Sequence, residues 1–206
     1  MQESRAVNET DFKRVSDFVT NVFANDEPMS KALGLASHDI INAFGSIIHN
    51  CCSSGLSYLI EQDGTILSVS LALPYTIYEK CHINHIPVCQ PLIAILDELG
   101  KSKPPIMAIE TTAYHFMVGT LQSCSKKGLG KQVITKTMDS TRQNDYTCIV
   151  ADATSSVSQY VLSSYFDYTF VCQVPYAEFE YNNSRWFESI VGTASAMRLV
   201  KYLSTG

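Results

Sequence analysis

The stretch richest in chemical potential is Val118-Gly119-Thr120-Leu121-Gln122-Ser123-Cys124-Ser125-Lys126-Lys127-Gly128-Leu129-Gly130-Lys131-Gln132-Val133-Ile134. Its residue types read as a strand, a glycine-bearing turn and an amphipathic helix. Glycines let backbone approach a ligand closely. The first N–H groups of a helix have no intrahelical partners, and the positive end of the helix dipole lies there, so the turn suits an anion. Lys126, Lys127 and Lys131 add positive charge in a chain whose net charge is -5. A pyrophosphate is the natural occupant. The competing reading is a basic helix start with a glycine turn and no ligand. The stretch contains no Gly-x-x-x-x-Gly-Lys-Ser/Thr, and it lacks the third glycine of the dinucleotide fingerprint.

Other reactive groups carry weaker patterns. Cys81-His82-x-x-His85 with Cys89 offers four metal ligands, but at a spacing no standard zinc site uses, and no metal is expected. Cys51-Cys52 lacks the Cys-x-x-Cys spacing of redox pairs. His115, in a strand-like run, reads as a core histidine or as part of a cleft wall. The seven cysteines mostly sit in apolar runs, such as Tyr146–Val150, and read as reduced thiols of an intracellular protein.

The elements that must position these groups follow from periodicity. Ser4–Val7 predicts a short strand. Asn8-Glu9-Thr10-Asp11 is a helix start, followed by Phe12, Val15, Phe18, Val19, Val22 and Phe23 on one helical face. A second helix is predicted near Ser37–Asn50. Leu56–Ile60 and Thr65–Leu73 predict a hairpin turning at Asp63-Gly64. Pro74–Gln90 is irregular, and Pro91–Gly100 is a short helix capped by Gly100. Ile106–Gln122 is strand-like with an interruption near His115. Helix Gly128–Arg142, strand Tyr146–Ala151, helix Ser155–Tyr165 and strands near Thr169–Glu180 and Ala196–Leu203 complete the chain. The spacing of Tyr160, Tyr165, Phe166, Tyr168 and Phe170 places them mostly in the core.

With 206 residues, 46% of them hydrophobic and 17% charged, the chain is expected to form one domain over residues 1–206 without covalent staples. The alternation of strand and helix predicts an α/β or α+β layer fold. The acidic balance argues against a nucleic-acid surface. No apolar run reaches the ~18 residues of a membrane span, and the polar start is unlike a signal peptide, so a cytoplasmic protein is expected.

The order of elements and the run Ser125-Lys126-Lys127-Gly128-Leu129-Gly130 resemble the GNAT acetyltransferases, whose pyrophosphate loop is Arg/Gln-x-x-Gly-x-Gly/Ala. Ser125 departs from that pattern at its first position. Within the superfamily the chain is similar to insect-type arylalkylamine N-acetyltransferases. Val22-Phe23-Ala24-Asn25-Asp26-Glu27-Pro28-Met29 resembles their Phe-Phe-x-x-Asp-Glu-Pro-Leu segment, and Thr154-Ser155-Ser156-Val157-Ser158 their Ser-Ser-x-x-Ser helix start. The resemblance implies a mixed, mostly antiparallel sheet with a splayed parallel strand pair, flanked by helices.

It also implies acetyl-CoA as co-substrate and a small primary amine as acceptor, with direct attack of the amine on the thioester. Cofactor contacts are implied at Val118, Thr120, Ser125, Lys126, Lys127, Gly128, Leu129, Gly130, Lys131 and Ser155. Glu27 is the implied base, since an alkylamine must lose a proton before attacking. Read from its neighbours alone, Glu27 is a helix-end carboxylate before a proline, in water. Ser158, with Thr154 second, matches the serine that handles the leaving thiolate, although both types are also ordinary helix caps. Where other family members carry a tyrosine acid, this chain has Leu162 between Tyr160 and Tyr165. The alternatives are a non-catalytic acyl-CoA-binding module of the same fold, and an enzyme acting on a peptide amine.

Overall fold

The computed structural model describes residues 2–81, 83, 86–104 and 107–203. His82 and His85 of the Cys/His cluster therefore lie outside the described residues. Among the described residues, no group of three or more His, Cys, Asp or Glu is placed to hold a metal, and no helix is long and apolar enough to cross a membrane.

Strands β1 (Gln2–Ala6), β2 (Tyr58–Gln62), β3 (Thr65–Pro74), β4 (Thr112–Thr120), β5 (Cys148–Ala153), β6 (Thr169–Pro175) and β7 (Ser195–Tyr202) form one sheet in the order β1-β2-β3-β4-β5-β7-β6. Every pairing is antiparallel except β4 with β5. The hairpin between β2 and β3 turns at Asp63 and Gly64, both at positive φ (49° and 79°), as the tight hairpin turn requires.

The helices are α1 (Phe12–Asp26), α2 (Pro28–Leu33), α3 (Ser37–Ser53), α4 (Tyr75–Tyr78), α5 (Gln90–Gly100), α6 (Leu129–Gln143) and α7 (Ser156–Tyr160). The central strands β3, β4, β5 and β7 bury residues on both faces, with neighbouring side chains emerging on opposite sides. Leu59, Tyr114, Val150 and Val200 face the layer of α1, α3 and α5, while Ile60, Ala113, Ile149 and Leu199 face α6. At the chain's start, Asn8 accepts from the Thr10 N–H at 3.0 Å, and the Asp11 carboxylate accepts from the Asn8 N–H at 3.1 Å. The Arg5 guanidinium grips Asp11 through two bonds of 2.6 and 2.7 Å and holds that carboxyl below its usual range.

Three expectations are corrected. Gly100 does not cap α5 in the left-handed region; it lies within the last turn, and Lys101 at φ -65° ends the helix. The predicted helix Ser155–Tyr165 is a five-residue α7 followed by a π-turn over Val161–Tyr165. Of the aromatic run, Tyr168 is buried, but Tyr160, Tyr165 and Phe170 are 65%, 55% and 54% exposed. The π-turn adds a residue to the helical repeat and shifts Tyr165 off the 3.6-residue stripe, whereas Tyr160 precedes it on α7 and Phe170 lies on the edge strand β6.

Candidate active site

The parallel pairing of β4 with β5 runs from Thr112↔Cys148 to His115↔Ala151 and stops. Beyond it β4 pairs only with β3 and β5 only with β7. The interruption foreseen near His115 is a bulge: Leu71 pairs with Met117 and Ala72 with His115, so Phe116 is the extra residue. It switches the face on which successive β4 side chains emerge.

A cavity of about 200 Å³ occupies the gap. Phe23, Phe44 and Phe116 form an aromatic wall, joined by Met29, Leu92 and Leu96. The polar lining is Asp26, Glu27, Ser30, His115, Asp152, Thr154, Ser155 and Ser158. Phe23 comes from the apolar face of α1. Tyr75 and Tyr78 pack around Tyr114, whose ring stacks on Tyr78 at 3.9 Å.

Glu27 is at the junction of α1 and α2. The following Pro28 favours extended backbone, and Glu27 adopts φ -77°, ψ 128°. In that conformation it ends α1 and caps α2: its carboxylate accepts from the N–H groups of Met29 (3.1 Å) and Ser30 (2.6 Å). The expectation of a carboxylate in water is therefore corrected, because Glu27 is 8% exposed. Burial pushes its carboxyl up from the ordinary value. The Ser30 N–H and hydroxyl, the Met29 N–H and the Thr154 hydroxyl pull back without cancelling the rise.

His115 is buried, with Nε2 2.8 Å from the Ser70 hydroxyl, and burial lowers its pKa to about 4. It is neutral across the physiological range and contributes no charge. Asp152, which sequence reading missed, lies beside it on β5. Arg198 of β7 donates to both its oxygens, at 2.8 and 2.7 Å, and the Tyr114 hydroxyl adds a third bond of 2.7 Å. A signal was present: Asp152 is the lone charge of β5, and Arg198 is an opposite charge flanked by apolar Met197 and Leu199 in β7.

Thr154, Ser155 and Ser158 come together at the start of α7. Ser155 and Ser158 cap each other reciprocally: each backbone N–H donates to the other's hydroxyl, at 3.2 and 3.1 Å. The Ser158 hydroxyl also lies 2.9 Å from the Ser155 carbonyl, as a donor. Leu162 lines the cavity, so the position of a tyrosine acid holds an apolar side chain.

The glycine turn lies at the outer end of β4. Lys126 (φ 63°) and Gly128 (φ 78°) take left-handed backbone, and Gly128 leads into α6 without a side-chain cap. Space beside Gly128 is open, whereas a Cβ on Gly130 would lie 3.2 Å from the Thr120 hydroxyl oxygen. Gly130 thus serves close packing of α6 on β4, a role beyond the ligand clearance read from sequence. Thr120 Oγ1 is 2.8 Å from the Ser68 hydroxyl. The Lys131 ammonium lies 3.6 Å above the Tyr165 ring, while Val118 lines the cavity. Left-handed turns ahead of an uncapped helix start make a concave nest of N–H groups that suits phosphate.

No protein-family model matches the chain. Solved structures do resemble it. The C-terminal condensation domain of Ebony, in complex with beta-alanyl-dopamine, superposes with a TM-score of 0.80 at 15% identity, over 98% of this chain and 99% of that one. Arylalkylamine N-acetyltransferase 2 from Aedes aegypti gives 0.77 at 16%, over 98% and 99%. The Drosophila melanogaster polyamine N-acetyltransferase that forms N-acetylagmatine gives 0.74 at 13%, over 98% and 100%. The chain has the GNAT fold.

Proposed function

We propose that residues 1–206 form a single N-acetyltransferase domain that transfers an acetyl group from acetyl-CoA to a small primary amine, with Glu27 as general base. The observation that carries this reading is the Glu27 carboxylate, buried, raised in pKa and lining an aromatic-walled cavity where the parallel strands part. The amine's ammonium gives its proton to Glu27. The neutral nitrogen then attacks the thioester carbon, and as the tetrahedral adduct collapses and the C–S bond breaks the nitrogen sheds its extra proton, leaving the neutral amide. The Ser158 hydroxyl is the cavity group suited to relay that proton to the departing CoA thiolate, giving its own to the sulfur and taking the one the nitrogen releases, as Leu162 has none to give. The aromatic wall supports an arylalkylamine as acceptor. Free cysteines at all seven positions, five of them buried, support a reducing cytoplasmic setting.

The glycine turn is assigned to the donor's pyrophosphate, with Ser125, Lys126, Lys127, Leu129 and Lys131 around it. The left-handed Gly128 and the open space beside it support that assignment. Calorimetric titration with acetyl-CoA, then an amine panel led by phenethylamines and indolethylamines, tests the reading; absence of saturable binding overturns it. Gly128→Val and Gly130→Val should each weaken acetyl-CoA binding by at least tenfold, the first by straining a left-handed residue and the second by driving α6 off Thr120. Unchanged affinity in both would remove the loop assignment. A second reading, transfer of an aminoacyl rather than an acetyl group, is favoured by the likeness to the domain bound to beta-alanyl-dopamine. A β-alanyl thioester of CoA in the donor panel separates the two.

A further inference from the structure

A groove of about 460 Å³ opens beside the cavity. One wall is Pro28, Lys31 and Ala32 of α2. The other is the start of α7 together with residues 189–193, in the connection from β6 to β7. The Ser156 N–H donates to the Thr193 hydroxyl at 3.0 Å and ties the two parts of that second wall together. Asp26 and Ser155 line both the groove and the cavity, so the two spaces meet at these residues.

Charge along the groove is confined to Asp26 and Lys31. Both residues are exposed, and among the described residues neither side chain has an ion pair or hydrogen bond, with the other or elsewhere. From the inside outward the lining is therefore ordered. Phe23, Phe44 and Phe116 line the cavity alone, as does the Glu27 carboxylate; Asp26 stands at the junction; Lys31 lines the groove alone. The sequence of surfaces is aromatic, acidic, acidic, basic.

A ligand complementary to that order carries an aryl group, then an ammonium, then an anion. A plain arylalkylamine answers the first two surfaces and leaves Lys31 with nothing to hold. A second ammonium on the acceptor would meet the Lys31 charge and be repelled. A carboxylate on the carbon that bears the amine answers all three, because it branches away from the aryl arm just where the cavity opens into the groove. The Ser156 and Ser189 hydroxyls line the same groove and supply further donors for carboxylate oxygens.

We propose that the groove is a carboxylate subsite and that the acceptor is an aromatic α-amino acid, with its ring on the phenylalanine wall, its ammonium between Asp26 and Glu27, and its carboxylate at Lys31. The inference deepens the acetyltransferase reading and rests on it for the place of the amine beside Glu27.

The test is steady-state acetylation of phenylalanine, phenylalaninamide and phenethylamine by the wild type and Lys31→Met. Comparing proteins for each acceptor cancels the different basicities of the three amines. The ratio of kcat/KM for phenylalanine to that for phenethylamine should fall about three- to tenfold in Lys31→Met, mainly through KM. The same ratio for phenylalaninamide, which keeps the shape and lacks the charge, should move by less than about twofold. Lys31→Glu should lower the phenylalanine ratio further, since it sets a like charge against the carboxylate. A wild type that acetylates phenethylamine but neither binds nor acetylates phenylalanine overturns the proposal, and so does a phenylalanine ratio unmoved in both variants. If no amine is acetylated, the acetyltransferase reading falls, and calorimetric titration of phenylalanine into the wild type and Lys31→Met still decides the groove. Weaker binding in the variant supports it; equal or absent binding overturns it.

Discussion

Replacing Glu27 with Gln should lower kcat about a hundred- to a thousandfold while leaving acetyl-CoA affinity nearly unchanged. General bases contribute on that scale. The amide keeps the size and one acceptor of the carboxylate, so Met29 or Ser30 retains a partner and α2 stays capped. What disappears is the capacity to take a proton. The glycine turn before α6, proposed for the donor's pyrophosphate, is not part of the cavity that Glu27 lines.

The same substitution carries a stability prediction of opposite sense. Burial raises the Glu27 carboxyl, so above that pKa the wild type holds a charge that folding has stripped of water. A carboxyl raised in the folded state favours folding fully below its unfolded value, and that contribution is lost as pH rises through the folded one. Glu27→Gln should therefore melt at or above the wild-type Tm at pH 8, and the gap should close as the pH falls into the ordinary glutamate range. The wild-type rate should rise across the same window. A variant that keeps wild-type turnover, or that melts lower at pH 8 than at acid pH relative to wild type, contradicts the assignment.

Arg198→Met should be the most damaging single change to stability, lowering it by about 3–5 kcal/mol. Both side chains of the Arg198–Asp152 pair are 1% exposed. Burial works against the guanidinium's charge, but the hydrogen bonds and charge of Asp152 prevail and hold its pKa above the ordinary value. Removing the arginine leaves a carboxylate in the apolar interior with the Tyr114 hydroxyl as its remaining side-chain donor. The double variant Arg198→Met/Asp152→Asn should recover most of the loss, since the uncompensated charge, rather than the pair's own attraction, dominates it. Urea unfolding of the three proteins measures this. A loss under about 1 kcal/mol in Arg198→Met would mean that the pair is solvated. Because Asp152 also lines the cavity, the single variant should bind acetyl-CoA less well even where it remains folded.

Much of the architecture was readable from local pattern. The apolar stripe from Phe12 to Phe23, the Asp63-Gly64 turn and the apolar runs of β3 and β5 are short-range signals, and each of these elements formed within a few residues of its expected bounds. The glycine turn was equally visible, since left-handed backbone at Gly128 is a property glycine announces. The short α2 was not foreseen: six residues are too few to show a period, and its start depends on Glu27 serving as cap. The aromatic run misled for a comparable reason: α7 is only five residues long and the π-turn after it breaks the 3.6-residue repeat, so a helical period could not place Tyr160 or Tyr165, and both are exposed.

The sequence by itself determined the alternation of strands and helices, the placement of the glycine turn between β4 and α6, and the identity of the carboxylate before Pro28. The first two follow from backbone preference and periodicity, which act over a few residues, while Glu27 was picked out by the resemblance of its segment to the Asp-Glu-Pro run of the arylalkylamine N-acetyltransferases. Tertiary structure alone decided that Glu27 is buried, that it shares a cavity with Thr154, and that Asp152 meets Arg198 across β5 and β7. Desolvation and charge pairing depend on groups that the chain separates by tens to more than a hundred residues. Their effect on a carboxyl exists only once the sheet has brought those groups within a few ångströms.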